Sequence, residues 1–420
     1  MREARHQDAN VLTFGGALSR RDFLRGFALA GVGLAGGMSL LPREAYGHTG
    51  GPAGLDSVQH RAYDSLKVFT DWLGRERVRG FVGEVNWPNM LRRTNIISYD
   101  DSAQWNALGE QWYRWADAAG LWTTLWCVDE RQLYGGFWLT AYTSVGDGKT
   151  RPISRPSAQA PVLERHPTTA AYKRGINVSG AEKWEEGVHT NANRGTYDST
   201  YWYAGQETMN YLASRGTKVI RLPFRLERVQ PQPGGALDSI EISRLKACVS
   251  RARTAGLGVI LDMHNYAQYW VAGSTGPVAL KVGSPQLPHS HFSDVWRKLS
   301  ETFKDDPTVV AYDLMNEPYN HGEVPSAGYP SPQRAWEVAT QSVVGAVRGG
   351  GDGKLLMIPG YAHIHKWSTK HPSRWIADAA NNLMYTAHHY FDAYRGPNTG
   401  GGKYRLSYND EIAYWKGQGY

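Results

Sequence analysis

The sequence is poor in features that would place it in a specialised structural class. It has 420 residues but only two cysteines, Cys127 and Cys248, so a network of disulfide bonds cannot be what stabilises the fold. Two buried thiols are the favoured interpretation of this pair, and a single bridge stays open. The formal charge of +7 comes from 46 basic and 39 acidic residues without a long basic run, which argues against a nucleic-acid-binding surface.

A stable membrane anchor is not predicted either. The apolar stretch near the N-terminus covers residues 27–41, which is shorter than the ~20 residues that cross a bilayer. It follows the run Ser19-Arg20-Arg21-Asp22-Phe23-Leu24, which resembles a twin-arginine export signal. Residues 1–47 are therefore predicted to be a signal peptide that is removed, and the mature chain is expected to be secreted.

The chain is rich in aromatic residues and alternates short apolar runs with longer amphipathic ones. Its 16 Trp and 24 Tyr suit the apolar faces of sugar rings as well as a large core. From Lys173 onward the alternation is typical of βα units around a parallel sheet. The strands predicted there are Arg174–Val178, Val219–Pro223, Gly258–Met263, Val309–Met315, Leu355–Pro359 and Leu383–His388, with helices such as Thr208–Arg215, Ile242–Ala255 and Ala335–Arg348 between them.

Two further strands are predicted before this region. A closed (β/α)8 barrel needs eight strands, and Val78–Glu84 and Leu121–Cys127 have the composition of the missing two. The segments Ala62–Leu73 and Trp105–Ala118 have the apolar spacing of helices. Residues 143–172 are rich in Ser, Pro, Thr and Ala, and they are predicted to be a linker or a long surface loop.

Nearly every predicted strand ends in a polar or aromatic side chain. In (β/α)8 barrels the functional groups lie at the carboxyl ends of the strands, so these residues are the candidates for a site. They are Glu84, Trp126, Arg221, His264, Asn265, Asn316, Glu317, His388 and Tyr390. Two glutamates among them are the residue type that glycoside hydrolysis requires.

Four segments of the sequence, three of which contain residues of this list, resemble motifs of glycoside hydrolase family 5, particularly of its bacterial cellulases. In the order of the family's first four strands, the motifs are Gly175-Ile176-Asn177-Val178-Ser179-Gly180-Ala181-Glu182, Arg221-Leu222-Pro223-Phe224, Asp262-Met263-His264-Asn265-Tyr266 and Leu314-Met315-Asn316-Glu317-Pro318. The resemblance covers nearly all of the chain after the predicted signal peptide. It implies an α/β fold, a (β/α)8 TIM barrel, that hydrolyses a β-linked polysaccharide.

The order of the motifs departs from the family. The Gly-Glu of the family's seventh strand and the Trp of its eighth resemble Gly83-Glu84 and Trp126, which precede the first-strand motif. We therefore predict a circularly permuted barrel. A truncated barrel behind an unrelated domain is the rival interpretation, but it would leave strand edges exposed. The predicted segments are 48–142 for strands seven and eight, 143–172 for the connection to strand one, and 173–420 for strands one to six, with 48–420 as one catalytic domain.

The resemblance also implies roles for the candidate residues. Glu84 would be the nucleophile and Glu317 the general acid and base of a retaining mechanism, with their carboxyl groups about 5–5.5 Å apart. The supporting residues would be Arg221 and Tyr390 beside Glu84, Asn316 at the sugar 2-hydroxyl, His264 and His388 at other hydroxyls, and Trp126 as the platform under the sugar. This mechanism needs no metal ion or cofactor.

Each role has a structural alternative. Glu84, Glu317 and Arg221 are also residue types that form structural ion pairs, and Trp126 also suits a barrel core. His389 is an alternative to its neighbour for the role of His388. Four further histidines lack the spacing and the nearby carboxylates of a metal site. They are His289, His291, His363 and His365.

The predicted activity is hydrolysis of β-1,4-glucosidic bonds in cellulose or a related β-glucan. A β-mannanase, a β-1,3-glucanase and a transglycosylase would use the same catalytic set, so these alternatives stay open. The hypothesis from another class is a non-catalytic glycan-binding barrel. The expected partner is thus a polysaccharide or oligosaccharide and not a nucleic acid, and the protein is expected to be a monomer.

Overall fold

The fold was analysed in a computed structural model. The structure describes residues 52–87, 92–93, 98–99, 101–131, 140–144, 153–185, 187–320, 324–391 and 407–420. The predicted signal peptide, residues 1–47, lies outside the described residues. The prediction of secretion therefore stays a prediction.

The strands and helices follow one another along the chain in the alternation that the sequence predicts. The strands are β1 (Arg79–Asn86), β2 (Arg92–Arg93), β3 (Ser98–Tyr99), β4 (Trp122–Asp129), β5 (Tyr142–Ser144), β6 (Ile153–Pro156), β7 (Arg174–Ser179), β8 (Val219–Phe224), β9 (Gly258–Met263), β10 (Gln268–Gly273), β11 (Gly276–Lys281), β12 (Val309–Asp313), β13 (Leu355–Pro359) and β14 (Leu383–Tyr390). The helices are α1 (Ser57–Glu76), α2 (Ser102–Ala118), α3 (Ala160–Arg165), α4 (Gln206–Ser214), α5 (Leu226–Val229), α6 (Ser239–Thr254), α7 (His289–Phe303), α8 (Pro332–Gly349), α9 (Trp367–Lys370) and α10 (Tyr408–Gly417), with a 3₁₀ turn at Ile364–Lys366.

Eight parallel strands close into a barrel. Their order around the ring is β1, β14, β13, β12, β9, β8, β7 and β4, and β4 pairs with β1 to complete it. All eight strands correspond to predicted ones, so the prediction of a (β/α)8 barrel is confirmed. In a closed ring each barrel strand pairs with a neighbour on both sides, so no barrel strand is an edge.

Alternate residues on the strands fill the barrel interior. On β8, Val219 belongs to the inner cluster while Ile220 and Leu222 pack outward against the helices, as the two-residue period of a strand requires. The other members of the inner cluster are Phe81, Ile260, Ala311, Leu355, Met357 and Met384. Because this apolar layer lies near the amino ends of the strands, the next inward positions lie at the carboxyl ends, where the polar side chains are found.

Residues 143–172 differ from the prediction of a linker with little regular structure. The end of β5, the whole of β6 and the short helix α3 lie within this segment. β5 extends the sheet beyond β4, with Tyr142 paired to Val128, and β6 runs antiparallel to β5. Strands of three or four residues show no apolar periodicity, so the sequence pattern misses them.

The first and last described helices pack on each other beside the junction of β14 and β1. The Ser57 hydroxyl donates to the Ile412 carbonyl at 2.7 Å, and the Tyr408 hydroxyl donates to Asp56 at 2.9 Å. The Arg61 guanidinium lies 4.4 Å from the centre of the Trp415 ring. These contacts hold the two ends of the described chain together where the barrel closes.

The two cysteines are both free and buried, so the open alternative of a single bridge is excluded. Cys127 follows Trp126 on β4 and Cys248 lies on α6. Within the described ranges, no helix combines the length and the apolar character that a bilayer-spanning helix needs.

Candidate active site

The two candidate glutamates meet at the carboxyl ends of the barrel strands. Glu84 lies on β1, and Glu317 follows the end of β12, two strands further around the ring than β14. An oxygen of each carboxyl group and a ring nitrogen of His388 all lie within 4.8 Å of one another. This separation agrees with the short distance that one shared sugar ring requires.

Glu84 is buried, and each of its carboxyl oxygens has a donor. The Arg221 guanidinium donates to Oε1 at 3.1 Å, and the Tyr390 hydroxyl donates to Oε2 at 2.5 Å. The side chain is only 5% exposed. Because arginine keeps its charge at every working pH, the Glu84 carboxylate has a permanent counter-charge.

Arg221 connects several buried polar groups below the carboxylate pair. Its Nε bonds to Asp313 at 2.8 Å, and one terminal nitrogen lies 2.9 Å from Asp262. The same guanidinium donates to the amide oxygens of Asn177 and Asn316, both at 2.9 Å. Burial alone would lower the pKa of Arg221, but the three carboxylates around it outweigh burial and raise the pKa. Arg221 therefore contacts Glu84 and also holds several other buried polar side chains in position.

Asp262, Asp313 and Asn177 are site residues that the sequence analysis missed. Burial raises the pKa of Asp313 to about 6, although the charge of Arg221 acts in the opposite direction. All three lie on barrel strands at inward positions, in phase with the polar residues that were identified. The alternation of inward and outward side chains along a strand could have identified the two aspartates as inward residues. Asp262 precedes His264 by two positions, and Asp313 follows the inward Ala311 by two.

Glu317 has different neighbours from those of Glu84. Its Oε1 lies 2.9 Å from Nδ1 of His388, and its Oε2 accepts a hydrogen bond from the side-chain amide of Asn320. The backbone of Glu317 has φ of 36°, in the left-handed region that side chains other than glycine rarely adopt. Such backbone strain is concentrated at functional sites, because it persists only where the surroundings hold it in place.

His388 lies between the two carboxyl groups. Its Nδ1 lies 3.6 Å from Glu84 Oε2, in addition to its contact with Glu317. Burial would lower the pKa of His388, but the negative charges of Glu84 and Glu317 outweigh it and raise the pKa. The neighbouring His389 points away, where it accepts a hydrogen bond from Trp112 at 2.9 Å, and burial holds its pKa well below the usual value. The structure thus brings His388, and not His389, to the pair.

His264 and Trp126 form a stacked pair on the other side of the cleft. Their ring centres are 5.5 Å apart with an interplanar angle of 27°. Nδ1 of His264 contacts Asp262 at 2.7 Å, while Nε2 lies 3.2 Å from the Tyr266 hydroxyl. The peptide bond after Trp126 is cis. Asp262 therefore fixes the orientation of the imidazole, and the buried ring of Trp126, within β4, packs against that imidazole.

Glu84, Glu317 and His388 also have ligand atoms that lie close enough together to hold a metal ion. Within the described part of the chain, they are the one group of three such side chains with ligand atoms close enough together. The four histidines that the sequence analysis set aside form no such group among the described residues.

The sequence of the chain matches the model of the cellulase family, glycosyl hydrolase family 5, over residues 176–416, which is more than half of its length. The chain belongs to glycosyl hydrolase family 5. This match confirms the family that the strand-end motifs resemble. The family 5 match begins within β7, so it contains Glu317 but leaves β1 and β4, with Glu84 and Trp126, outside.

Curated relatives of this family 5 chain are endoglucanases. The manganese dependent endoglucanase Eg5A of Phanerodontia chrysosporium is 27% identical over 49% of the chain and 47% of its own length. An endoglucanase of Paenibacillus polymyxa is 24% identical over 61% of the chain and 65% of its own length. The chain thus spans about half to two thirds of the length of these relatives.

A solved relative of this family 5 chain is the endoglucanase Cel5A of Pseudomonas stutzeri, which was determined in complex with cellobiose. It is 34% identical, with 55% of the chain and 62% of the Pseudomonas protein covered, and the TM-score is 0.44.

Proposed function

We propose that the chain is a retaining endo-β-1,4-glucanase, with Glu84 as the nucleophile and Glu317 as the general acid and base. The observation that carries the proposal is the unequal surroundings of two carboxyl groups with oxygens within 4.8 Å. Glu84 accepts a hydrogen bond from Arg221, whose permanent positive charge lies beside the carboxyl group that would act as nucleophile. Glu317 contacts the titratable His388 and accepts a hydrogen bond from the uncharged amide of Asn320, as suits a group that gains and loses a proton.

In the first step, the Glu84 carboxylate attacks the anomeric carbon of the sugar. The bond between that carbon and the glycosidic oxygen breaks, and Glu317 gives its proton to the departing oxygen. The product is a glycosyl ester on Glu84. The Tyr390 hydroxyl donates a hydrogen bond to Oε2 of Glu84 in the free enzyme. It would therefore stay beside this carboxyl group while the negative charge is lost on formation of the ester.

In the second step, Glu317 acts as a base. It takes a proton from water while the water oxygen attacks the anomeric carbon, and the ester bond to Glu84 breaks. Two displacements at one carbon return the original β configuration. Glu317 ends the cycle protonated and Glu84 ionised, ready for the next bond.

The remaining candidates would hold the sugar. The ring of Trp126 would lie under the sugar next to the bond that breaks, since an apolar sugar face needs a flat partner. The amide oxygen of Asn316 accepts from Arg221, which turns the amide nitrogen toward the position of a sugar hydroxyl. His264, oriented by Asp262, would bind another hydroxyl.

A β-1,4-glucan is the proposed substrate because the curated relatives are endoglucanases by name. β-Mannan and β-1,3-glucan remain the alternatives, since their hydrolysis uses the same catalytic atoms. The twin-arginine run at Arg20 and Arg21 supports secretion of the enzyme.

We also propose that the barrel is circularly permuted relative to the family. The family match starts in β7, while the strands that precede it close the ring against β14. Glu84 then follows six barrel strands when the ring is read from β7, which is the place of the family's catalytic Gly-Glu strand.

Substitution of each glutamate tests the function. Glu84→Gln and Glu317→Gln are assayed on a panel of β-glucans and mannans, with Glu207→Gln on the exposed face of α4 as the matched control. Both site variants lose hydrolysis and the control keeps it, because only the site carboxyls take part in the chemistry. Wild-type activity in either site variant overturns the assignment. NMR of the first product distinguishes a retained β anomer from an inverted one, and inversion overturns the retaining mechanism.

A further inference from the structure

We propose that Asn320 is a positioning residue that orients the carboxyl group of Glu317 and favours its ionised form. The inference rests on the proposed role of Glu317 as acid and base. Asn320 is exposed and lies outside every strand-end motif, so neither its burial nor its place in the barrel suggests this role.

The local sequence explains how Asn320 reaches Glu317. In Glu317-Pro318-Tyr319-Asn320, proline occupies the second position of a four-residue turn, where its fixed φ favours turn formation. The backbone N–H of Asn320 donates to the Glu317 carbonyl at 3.1 Å, which closes the turn. The side chain of Asn320 then folds back, and its amide donates to Oε2 of Glu317.

The turn also accounts for the unusual backbone of Glu317. A non-glycine residue with φ of 36° needs surrounding contacts to hold it. The turn hydrogen bond holds the residue on its carboxyl side, and the Asn316 N–H, which donates to the Met263 carbonyl at 2.8 Å, holds the residue before it. Asn320 therefore acts on both the backbone and the carboxyl group of Glu317.

The two carboxyl oxygens of Glu317 consequently have different neighbours. Oε1 faces His388 on the inner side, and Oε2 faces Asn320 on the exposed side. With both oxygens held, the carboxyl plane is fixed relative to Glu84, as proton transfer to one particular oxygen of the substrate requires. An amide N–H is an uncharged donor, so it stabilises the carboxylate without preventing its protonation.

Substitution by Ala and by Asp separates orientation from charge. Asn320→Ala removes the donor, while Asn320→Asp keeps the size but replaces the donor with a carboxylate that repels Glu317. The expected result is a loss of about tenfold in kcat/KM on cellotetraose for Asn320→Ala and a larger loss for Asn320→Asp. The alkaline limb of the profile of kcat/KM against pH moves to higher pH, by about half a pH unit for Ala and further for Asp. The reason is that the Glu317 carboxyl group stays protonated to a higher pH.

An aryl cellobioside whose leaving group needs no proton serves as the second substrate. Its kcat/KM stays near the wild-type value in both variants, since bond cleavage then does not use the acid, and this also verifies that the variants are folded. Asn210→Asp, at an exposed position on α4, is the matched control and leaves the profile unchanged.

The outcomes separate the inference from the proposed function. Unshifted pH profiles in both Asn320 variants overturn the positioning role, and so does an equal loss on the two substrates without a shift, which indicates only a structural effect. If Glu317→Gln keeps wild-type activity on cellotetraose, the proposed function itself is overturned. If Glu317→Gln is inactive while the Asn320 variants behave as wild type, the proposed role of Asn320 is wrong and the proposed function stands.

Discussion

The two parts of this barrel differ in what the family comparison reveals about them. The part from β7 to β14 matches the family model and contains six of the barrel strands, with Glu317, Arg221 and His388. The part with β1 and β4 lies outside the match, yet it supplies Glu84 and Trp126 at the same end of the same ring. Neither part contains a complete site, so a function assigned from the matched part alone lacks its proposed nucleophile.

The two parts also hold their carboxylates differently. Glu84 is tied to the other part through Arg221 and Tyr390, while the bonds of Glu317 to His388 and Asn320 stay within the matched part. The unmatched strands are therefore joined to the matched part by the Arg221–Glu84 ion pair and the hydrogen bond from Tyr390 to Glu84.

The largest effect is expected from removing the two carboxyl groups in turn. Glu84→Ala lowers kcat on cellotetraose by roughly 10⁴-fold or more, as loss of a nucleophile does. With an activated aryl cellobioside, added azide enters the vacated space of Glu84→Ala and gives the α-glycosyl azide, whereas Glu317→Ala gives the β-glycosyl azide. NMR of the azide products measures the anomer. The opposite assignment of anomers would exchange the roles of the two parts.

The next largest effect is expected from Arg221→Lys. Lysine keeps the positive charge but cannot reach Glu84, Asp262 and Asp313 together, so kcat/KM falls about 100-fold. The free energy of unfolding also falls by about 3 kcal/mol, because buried carboxylates lose a partner. Kinetics and urea unfolding measure the two effects. Arg253→Lys, at an exposed pair with Asp306, is the control and changes both quantities little.

A smaller effect is expected from reversing the proposed circular permutation. A linker joins the end of α10 to the start of α1, and the chain is opened between α3 and β7, so that β7 becomes the first strand. The contacts between α1 and α10 already hold these ends together, so kcat stays within about threefold of the native order. Activity on cellotetraose is the measurement. An unfolded product would argue against a permuted barrel.

The smallest effect is a dependence of stability on pH through His388. The folded state raises the pKa of His388, so the protonated imidazole stabilises the fold at acidic pH, and this contribution is lost as the pH rises through the folded pKa. The stability advantage of the wild type over His388→Gln therefore shrinks with rising pH. Urea unfolding across mildly acidic to mildly alkaline pH measures it. An advantage that grows with pH would show that His388 is held neutral between the two parts.

Strand ends were the part of the site most open to prediction from sequence. Each barrel strand is short and apolar, so a polar residue that closely follows it, such as His264 after β9 or Asn316 after β12, stands out. Asp262 and Asp313 were missed because they lie inside the apolar runs, where only the alternation of inward positions distinguishes them. Asn320 was missed because its contact with Glu317 depends on a turn, and turns leave no periodic pattern.

The fold was predictable for a similar reason. The alternation of β-branched runs and amphipathic stretches gave all eight barrel strands, but the short strands β5 and β6 carry too few residues for any period to be visible. The choice between His388 and His389 also needed the structure, because two adjacent strand residues point to opposite faces and the sequence does not say which face is inward.

The pairing of β14 with β1 has a consequence for how the enzyme gains its activity. Residue Arg79 pairs with Met384, so this seam joins segments that are about 300 positions apart in the chain, and such distant contacts are slow to form. Glu84 and His388 face each other across the same seam. In a nascent chain in which β14 has not yet been made, Glu84 lacks its contacts with His388 and Tyr390, so we expect hydrolysis to begin only when this last strand closes the ring.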